Sequence, residues 1–265
     1  MNGMTLSVAA AGIAAPGLPD WATACAVLRG AAPHVAAELP PSFSQLLPPN
    51  ERRRAPPAVR LAFRAAEDAL ARWPLPAERL AAVFASSDAD TGIIHRICQT
   101  LAHPAPQLSP TDFHNSVHNA AAGYWSIATA ARGPSNTICA YDASFAAGLL
   151  EATLLAGGEN LDTLLVVYDV PPPAPLYEKR PIALAASVAL VLSARALPQA
   201  LGRLRIARVA RAQPSRMDDA ALETLRLANP ALRALPLLHL LARGAAGRAT
   251  FEDAGHGALC VDVLP

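Results

Sequence analysis

The stretch His114–Glu151, HNSVHNAAAGYWSIATAARGPSNTICAYDASFAAGLLE, decides the fold and holds the chain's one dense cluster of His, Asn, Cys and Asp. Small residues from Asn119 to Ala131 suit a helix. Arg132-Gly133-Pro134-Ser135 stops it, because proline cannot continue a helix and glycine accepts positive φ. Asn136–Ala140 has the length and apolar content of a short buried strand. A sharp turn at Tyr141-Asp142-Ala143 leads into a second small-residue helix, Ser144–Leu155. In many enzymes such a strand-to-helix elbow presents the nucleophile, since backbone N–H groups there converge. Here the elbow offers Asp142.

Working outward, apolar runs at Thr5–Ile13, Leu80–Ala85, Leu161–Val170 and Ala183–Ser193 read as strands. Arg203–Ala212 alternates apolar residues with arginine, as a half-exposed strand does. Leu18–Gly30, Ala58–Trp73 and Thr91–Ala102 read as helices, with Asp20 placed to cap the first. Two more helical pieces fall at Asp218–Ala228 and Pro230–Leu241. Two short strands, Ala249–Asp253 and Ala258–Val263, follow with Gly255-His256-Gly257 turning between them. Strands alternating with helices at this spacing indicate an α/β fold with a mostly parallel central sheet.

Bulk composition narrows the function. The 265 residues are 52% hydrophobic and 16% charged, which implies a substantial core. A net charge of +1 gives no general pull toward nucleic acid or anionic membrane. Arg52-Arg53-Arg54 reads as a solvated face or local docking patch. The longest apolar run, Ile182–Ala194, is too short to insert in a bilayer, and no secretory leader precedes the first strand. Cys25, Cys98, Cys139 and Cys260 show neither CxxC nor zinc spacing, so reduced thiols in a cytoplasmic protein are expected.

Each candidate group has a bland alternative. His114 and His118 stand at metal-binding spacing, but no third ligand sits at readable distance, so packing at a helix start is preferred and no metal is expected. Cys139, inside an apolar strand, reads as a small hydrophobe before a nucleophile. Asp142 is expected to cap the helix that follows it rather than act as an acid or base. GxGxxG and GxxxxGK[ST] are absent, so no nucleotide cofactor is expected.

The stretch resembles the β-ketoacyl synthases of the thiolase fold. Asn119-Ala-Ala-Ala-Gly123, Arg132-Gly133-Pro134-Ser135 and the helix ending Glu151-Ala152 match that family's N-x-x-A-G start, R-G-P-S/N turn and following helix. Leu108-Ser109-Pro110 is similar to the I-S-P before it. The family's T-A-C strand end carries the acyl-accepting Cys, and ungapped counting from Arg132 puts that position on Asp142. The family's HGTGT and N-x-F-G-F-G histidine motifs do not occur, and His239 and His256 take no role from it. The resemblance implies a thiolase-like α/β fold: an N-terminal ketosynthase half, residues 1–200, with a mostly parallel five-stranded sheet flanked by helices. Residues 201–265 would form a truncated C-terminal extension packed on the same domain.

A carboxylate cannot carry a thioester through a Claisen condensation. The resemblance is therefore to the short chain-length-factor subunits of aryl polyene and related polyketide or fatty-acid-like pathways. It implies a heterodimer with a full-length ketosynthase acting on acyl carrier protein-bound chains. Phe113, His114, His118, Asn119, Tyr124, Trp125, Cys139, Tyr141 and Asp142 become interface or acyl-tunnel candidates, with no catalytic residue, cofactor or metal. Two alternatives stay open. One is a stand-alone acyl-thioester decarboxylase or hydrolase using Asp142 with His114 or His118; the other is a homodimeric module that binds acyl carrier protein.

Overall fold

The computed structural model describes residues 5–255 and 257–264. The expected turn at His256 therefore lies outside the described residues in part. The chain builds one sheet of eight strands: β1 (Thr5–Ala14), β2 (Ala81–Ala85), β3 (Ser135–Ile138), β4 (Thr163–Asp169), β5 (Ala186–Ser193), β6 (Gly202–Val209), β7 (Gly247–Glu252) and β8 (Ala258–Leu264). Their spatial order is β3-β2-β4-β5-β1-β6-β8-β7.

The thiolase-like α/β architecture stands: residues 1–200 hold the five expected strands, and β6, β8 and β7 extend them into one sheet of eight. The mostly parallel direction expected of the sheet is corrected. Only β3–β2 and β2–β4 are parallel, while the five other pairings are antiparallel. The cause is connectivity. A parallel return needs a long crossover, normally a helix, and such helices separate β2, β3 and β4. β4 reaches β5 through a proline-broken segment instead, and comes back antiparallel. Apolar runs reveal burial on both faces, and all of β2, β4 and β5 is buried, but they do not encode direction.

Helices cover both faces. On one lie α3 (Pro57–Leu70) and α6 (Ala120–Thr129), closing a core around Phe63, Phe84 and Trp125. On the other lie α1 (Trp21–Leu28), α7 (Ser144–Thr153), α8 (Ala220–Ala228) and α9 (Leu235–Arg243), with Phe145, Leu149, Leu237 and Leu238 inside. Two glycines set the closest contacts. A Cβ on Gly12 of β1 would stand 2.1 Å from the Ala65 carbonyl oxygen of α3, and one on Gly148 of α7 would stand 2.8 Å from the Ala85 Cβ of β2. Three shorter helices, α2 (Pro49–Arg54), α4 (Thr91–Leu101) and α5 (Pro110–Asn115), complete the chain. Asp20 caps α1 as expected, accepting the Thr23 N–H at 2.8 Å.

The two sheet edges differ. Against β7 lies the Ser215 segment, whose N–H donates to the Thr250 carbonyl and whose hydroxyl accepts the Thr250 N–H. Among the described residues β3 pairs only with β2. An open edge of this kind is a template for another strand. Among the described residues no helix is long and apolar enough to cross a membrane. All four cysteines are free thiols.

Candidate functional site

In open α/β sheets ligands meet the carboxyl ends of the parallel strands. Here β2 ends in Ser86-Ser87-Asp88, β3 in Cys139 and the elbow, and β4 in Asp169. The elbow is a single 3₁₀ turn, Tyr141–Ala143, entered through Tyr141 in the left-handed region at φ 53°. A bulky residue there costs about 1–2 kcal/mol. Ser144, fully buried at the start of α7, staples the turn: its hydroxyl accepts the Ala140 N–H at 3.1 Å and donates to the Tyr141 carbonyl at 2.7 Å.

That staple ties the turn but leaves α7 without a side-chain cap, and the helix-cap reading of Asp142 is corrected. Asp142 makes no capping bond to α7. Its carboxylate instead accepts from Arg180 at 2.7 Å and from Arg233 at 3.4 Å. Arg180 reaches further, with Nε 3.4 Å from Asp88 and the guanidinium 3.6 Å above the centre of the Tyr141 ring. Burial works against the Arg180 charge, but the Asp142 hydrogen bond and nearby carboxylates outweigh it and hold its pKa above the ordinary value. The elbow therefore carries an acceptor-only group whose lone pairs are engaged by two cations. No sequence-local signal marks Arg180 or Arg233, which stand 38 and 91 residues from Asp142.

Replacing Arg180 by methionine leaves Asp88 and Asp142 without this partner. Because the Asp142 side chain is 37% exposed, solvent screens the pair and the expected Arg180–Asp142 coupling is only about 1 kcal/mol. A double-mutant cycle with Asp142→Asn in urea unfolding measures it, and no coupling would remove the lock.

Beneath the elbow sits Asp169, wholly buried. Its Oδ1 accepts from the hydroxyls of Ser86 and Ser87 at 2.9 and 2.8 Å and from the Ser87 N–H at 2.8 Å, while Oδ2 has no partner. Burial lifts its pKa to about 7 against these donors. The Ser87 carbonyl in turn accepts the Cys139 thiol at 2.7 Å. A carboxyl whose folded pKa is raised keeps its proton where the unfolded chain has released it. Its contribution is present below the ordinary carboxylate range near pH 4 and is lost as pH rises through about 7. Stability is expected to fall across that window in the wild type and to flatten in Asp169→Asn. Glu223, held down at about 2 by Arg226, works in the opposite sense, below pH 4.5. His239, whose pKa burial lowers, titrates in the same window in both proteins, so the difference in urea midpoint between wild type and Asp169→Asn from pH 4.5 to 7.5 isolates the Asp169 contribution.

The other sequence candidates separate into two groups. Phe113, His114, Asn119, Cys139 and Tyr141 are exposed, and His118 is partly so. Tyr124 and Trp125 lie in the core. Trp125 is fully buried, its ring 5.9 Å from Phe63 and 6.1 Å from Phe84, so α6 packs this side chain into the core. His114 stands edge-on to Tyr124 at 6.4 Å, and neither His114 nor His118 hydrogen-bonds Asp142. Among the described residues no three His, Cys, Asp or Glu side chains converge as metal ligands. Beside Asp142 opens a cleft of about 390 Å³ lined by Phe145, Arg216, Arg226, Arg233 and Phe251. Among the described residues Cys139 has no base hydrogen-bonded to it; its thiol donates to the Ser87 carbonyl.

The apolar surface is uneven. Seven large apolar side chains between Ile94 and Tyr141 are exposed, among them Phe113, Val117 and Ile127, out of thirteen across the described residues. Such a concentration beside an open strand edge marks an interaction surface.

Comparison with known proteins agrees with this geometry. A search of curated proteins by sequence returns no match. Solved structures share the fold. One is a chain of the Xenorhabdus doucetiae complex between the ketosynthase ApeO and its chain length factor ApeC. It aligns with TM-score 0.71 and 23% identity over 97% of this chain and 99% of that one. The ishigamide ketosynthase/chain length factor gives 0.68 and 17% over 98% of each chain. AntDE:AntF, a type II polyketide synthase acyl-carrier protein in complex with its ketosynthase, gives 0.72 and 10% over 98% and 99%. The family model described as β-ketoacyl synthase, N-terminal domain, matches residues 26–250. With that match across most of its length, this chain belongs to the β-ketoacyl synthase family.

Proposed function

We propose that this chain is a non-catalytic chain-length-factor subunit. It pairs with a complete β-ketoacyl-ACP synthase and shapes the acyl tunnel of that enzyme in aryl polyene, polyketide or fatty-acid-like biosynthesis. The observation that carries the reading is Asp142 at the elbow, held by Arg180 and Arg233; counted from Arg132, that is the position the family's thiol would take. The complexes with similar folds supply the class of partner: a ketosynthase, with acyl carrier protein delivering the chain.

The pairing has a physical basis on this surface. The partner would add its strand to the free edge of β3 and cover Ile127 of α6 and the exposed aromatics around it. Exposed Phe113, His114, partly exposed His118, and Tyr141 are the side chains placed to meet the partner's tunnel. A rigid wall there sets product length by exclusion, since each added methylene pressed against packed atoms costs on the order of 1–3 kcal/mol.

Co-expression with a complete ketosynthase from the same genome tests this. The expected product is a 1:1 complex by light scattering that extends acyl chains on carrier protein. A stable monomer that ignores the ketosynthase contradicts it, and a homodimer favours a carrier-binding module instead.

A further inference from the structure

A second cavity, larger than the cleft beside Asp142, measures about 640 Å³ and opens between α1, α9 and the segment Ser215–Leu222. That size suits a small organic ligand. Its wall is mixed, with Leu28, Met217, Leu222 and Leu240 supplying the apolar part.

The charged rim carries Arg216, Arg243 and Arg248 against Asp218 and Asp219, an excess of one cation, and Asp218 is exposed. Asp219 is spent capping α8, accepting the Ala221 and Leu222 N–H groups at 2.9 Å each. Arg248 is paired with Asp262 at 2.6 Å. Arg216 and Arg243 have no carboxylate within ion-pair distance among the described residues, and both are exposed. His239, on the same lining, has a buried Nδ1 with no hydrogen-bond partner. A buried polar atom without a partner is rare in folded proteins and needs a cause. Burial also holds the His239 pKa below its ordinary value, with Arg243 adding to the effect. Apolar side chains, two guanidiniums without an ion pair and one orphaned ring nitrogen converge on a single cavity.

We infer that this cavity is a binding site for a small amphipathic carboxylate, its apolar body against Leu28, Met217, Leu222 and Leu240 and its head at Arg216 and Arg243. The site stands apart from the elbow, and Arg216 lines both this cavity and the cleft beside Asp142. It is carried by this chain alone and does not depend on pairing with a ketosynthase.

Isothermal titration of the full chain with sodium decanoate, kept below its micellar range, tests the inference. One decanoate per chain is expected. Binding should weaken at least tenfold in the R216A/R243A double variant and at least tenfold for uncharged decanol. Both arginines are exposed, so the variant keeps the fold, which a thermal melt checks. In the wild type alone, decanoate should also shift the His239 ring resonances in NMR. Absence of saturable decanoate binding overturns the inference. So does equal affinity in the double variant, equal affinity for decanol, or full competition by inorganic phosphate, which would mark a site for the charged head only.

Discussion

Thr137→Pro is expected to abolish assembly with a ketosynthase while leaving this chain folded. In a parallel ladder the backbone groups of alternate residues face alternate sides. The carbonyls of Pro134 and Ile138 accept from Ala82 and Ser86 of β2, so Ser135 and Thr137 present theirs to the open edge. Proline at 137 removes an outward N–H and spares the β2 ladder, and edge strands tolerate it. A partner strand would lose a hydrogen bond and meet the pyrrolidine ring. The expected outcome is an unchanged melting curve for the isolated chain and at least a hundredfold weaker binding to the ketosynthase. Wild-type affinity in this variant would show that the partner does not use β3.

The second large effect is on stability. Trp125→Ala is expected to cost about 3–5 kcal/mol, because a fully buried indole between Phe63 and Phe84 leaves a cavity the neighbours cannot fill. Trp125→Phe should cost less than half as much, since it retains a ring and removes an indole N–H that has no partner. The phenylalanine variant should still bind a ketosynthase as the wild type does. Urea unfolding separates the variants, and a loss under about 1 kcal/mol for the alanine variant would take Trp125 out of the core.

What the sequence disclosed and what it withheld follow from the range of the forces involved. The elbow was legible because its signals are local: Gly133-Pro134 before it, the short strand of β3, and small residues in α7 where Gly148 lets the helix rest on β2. β6 was legible from its alternation, with Leu204 and Ile206 turned inward and Arg203 and Arg205 outward. Strand direction was not, because β4 and β5 are equally apolar whichever way they run. The neighbours of Trp125 were equally hidden, since α6 has small residues on several sides and only α3 and β2 determine which of them is covered.

The site shows the same division. Asp142 could be placed by counting from Arg132, but its partners could not, because Arg180 and Arg233 arrive from distant segments. A capping rule considers only the nearest backbone donors, but no side chain caps α7 and Asp142 turns to the two arginines instead. Asp169, at the end of an apolar strand, reads as a strand terminus; only the packing of β2 beside β4 shows it holding Ser86 and Ser87 beneath the elbow.

A single mass measurement addresses the central point, that the elbow has exchanged a reactive sulfur for a neutralised carboxylate. The purified pair is incubated with an acyl thioester of the carrier protein, quenched, and both chains are weighed intact. The expected spectrum shows the acyl increment on the ketosynthase alone and this chain at its unmodified mass. An acyl increment on this chain that maps to Asp142 or Cys139 would contradict the account.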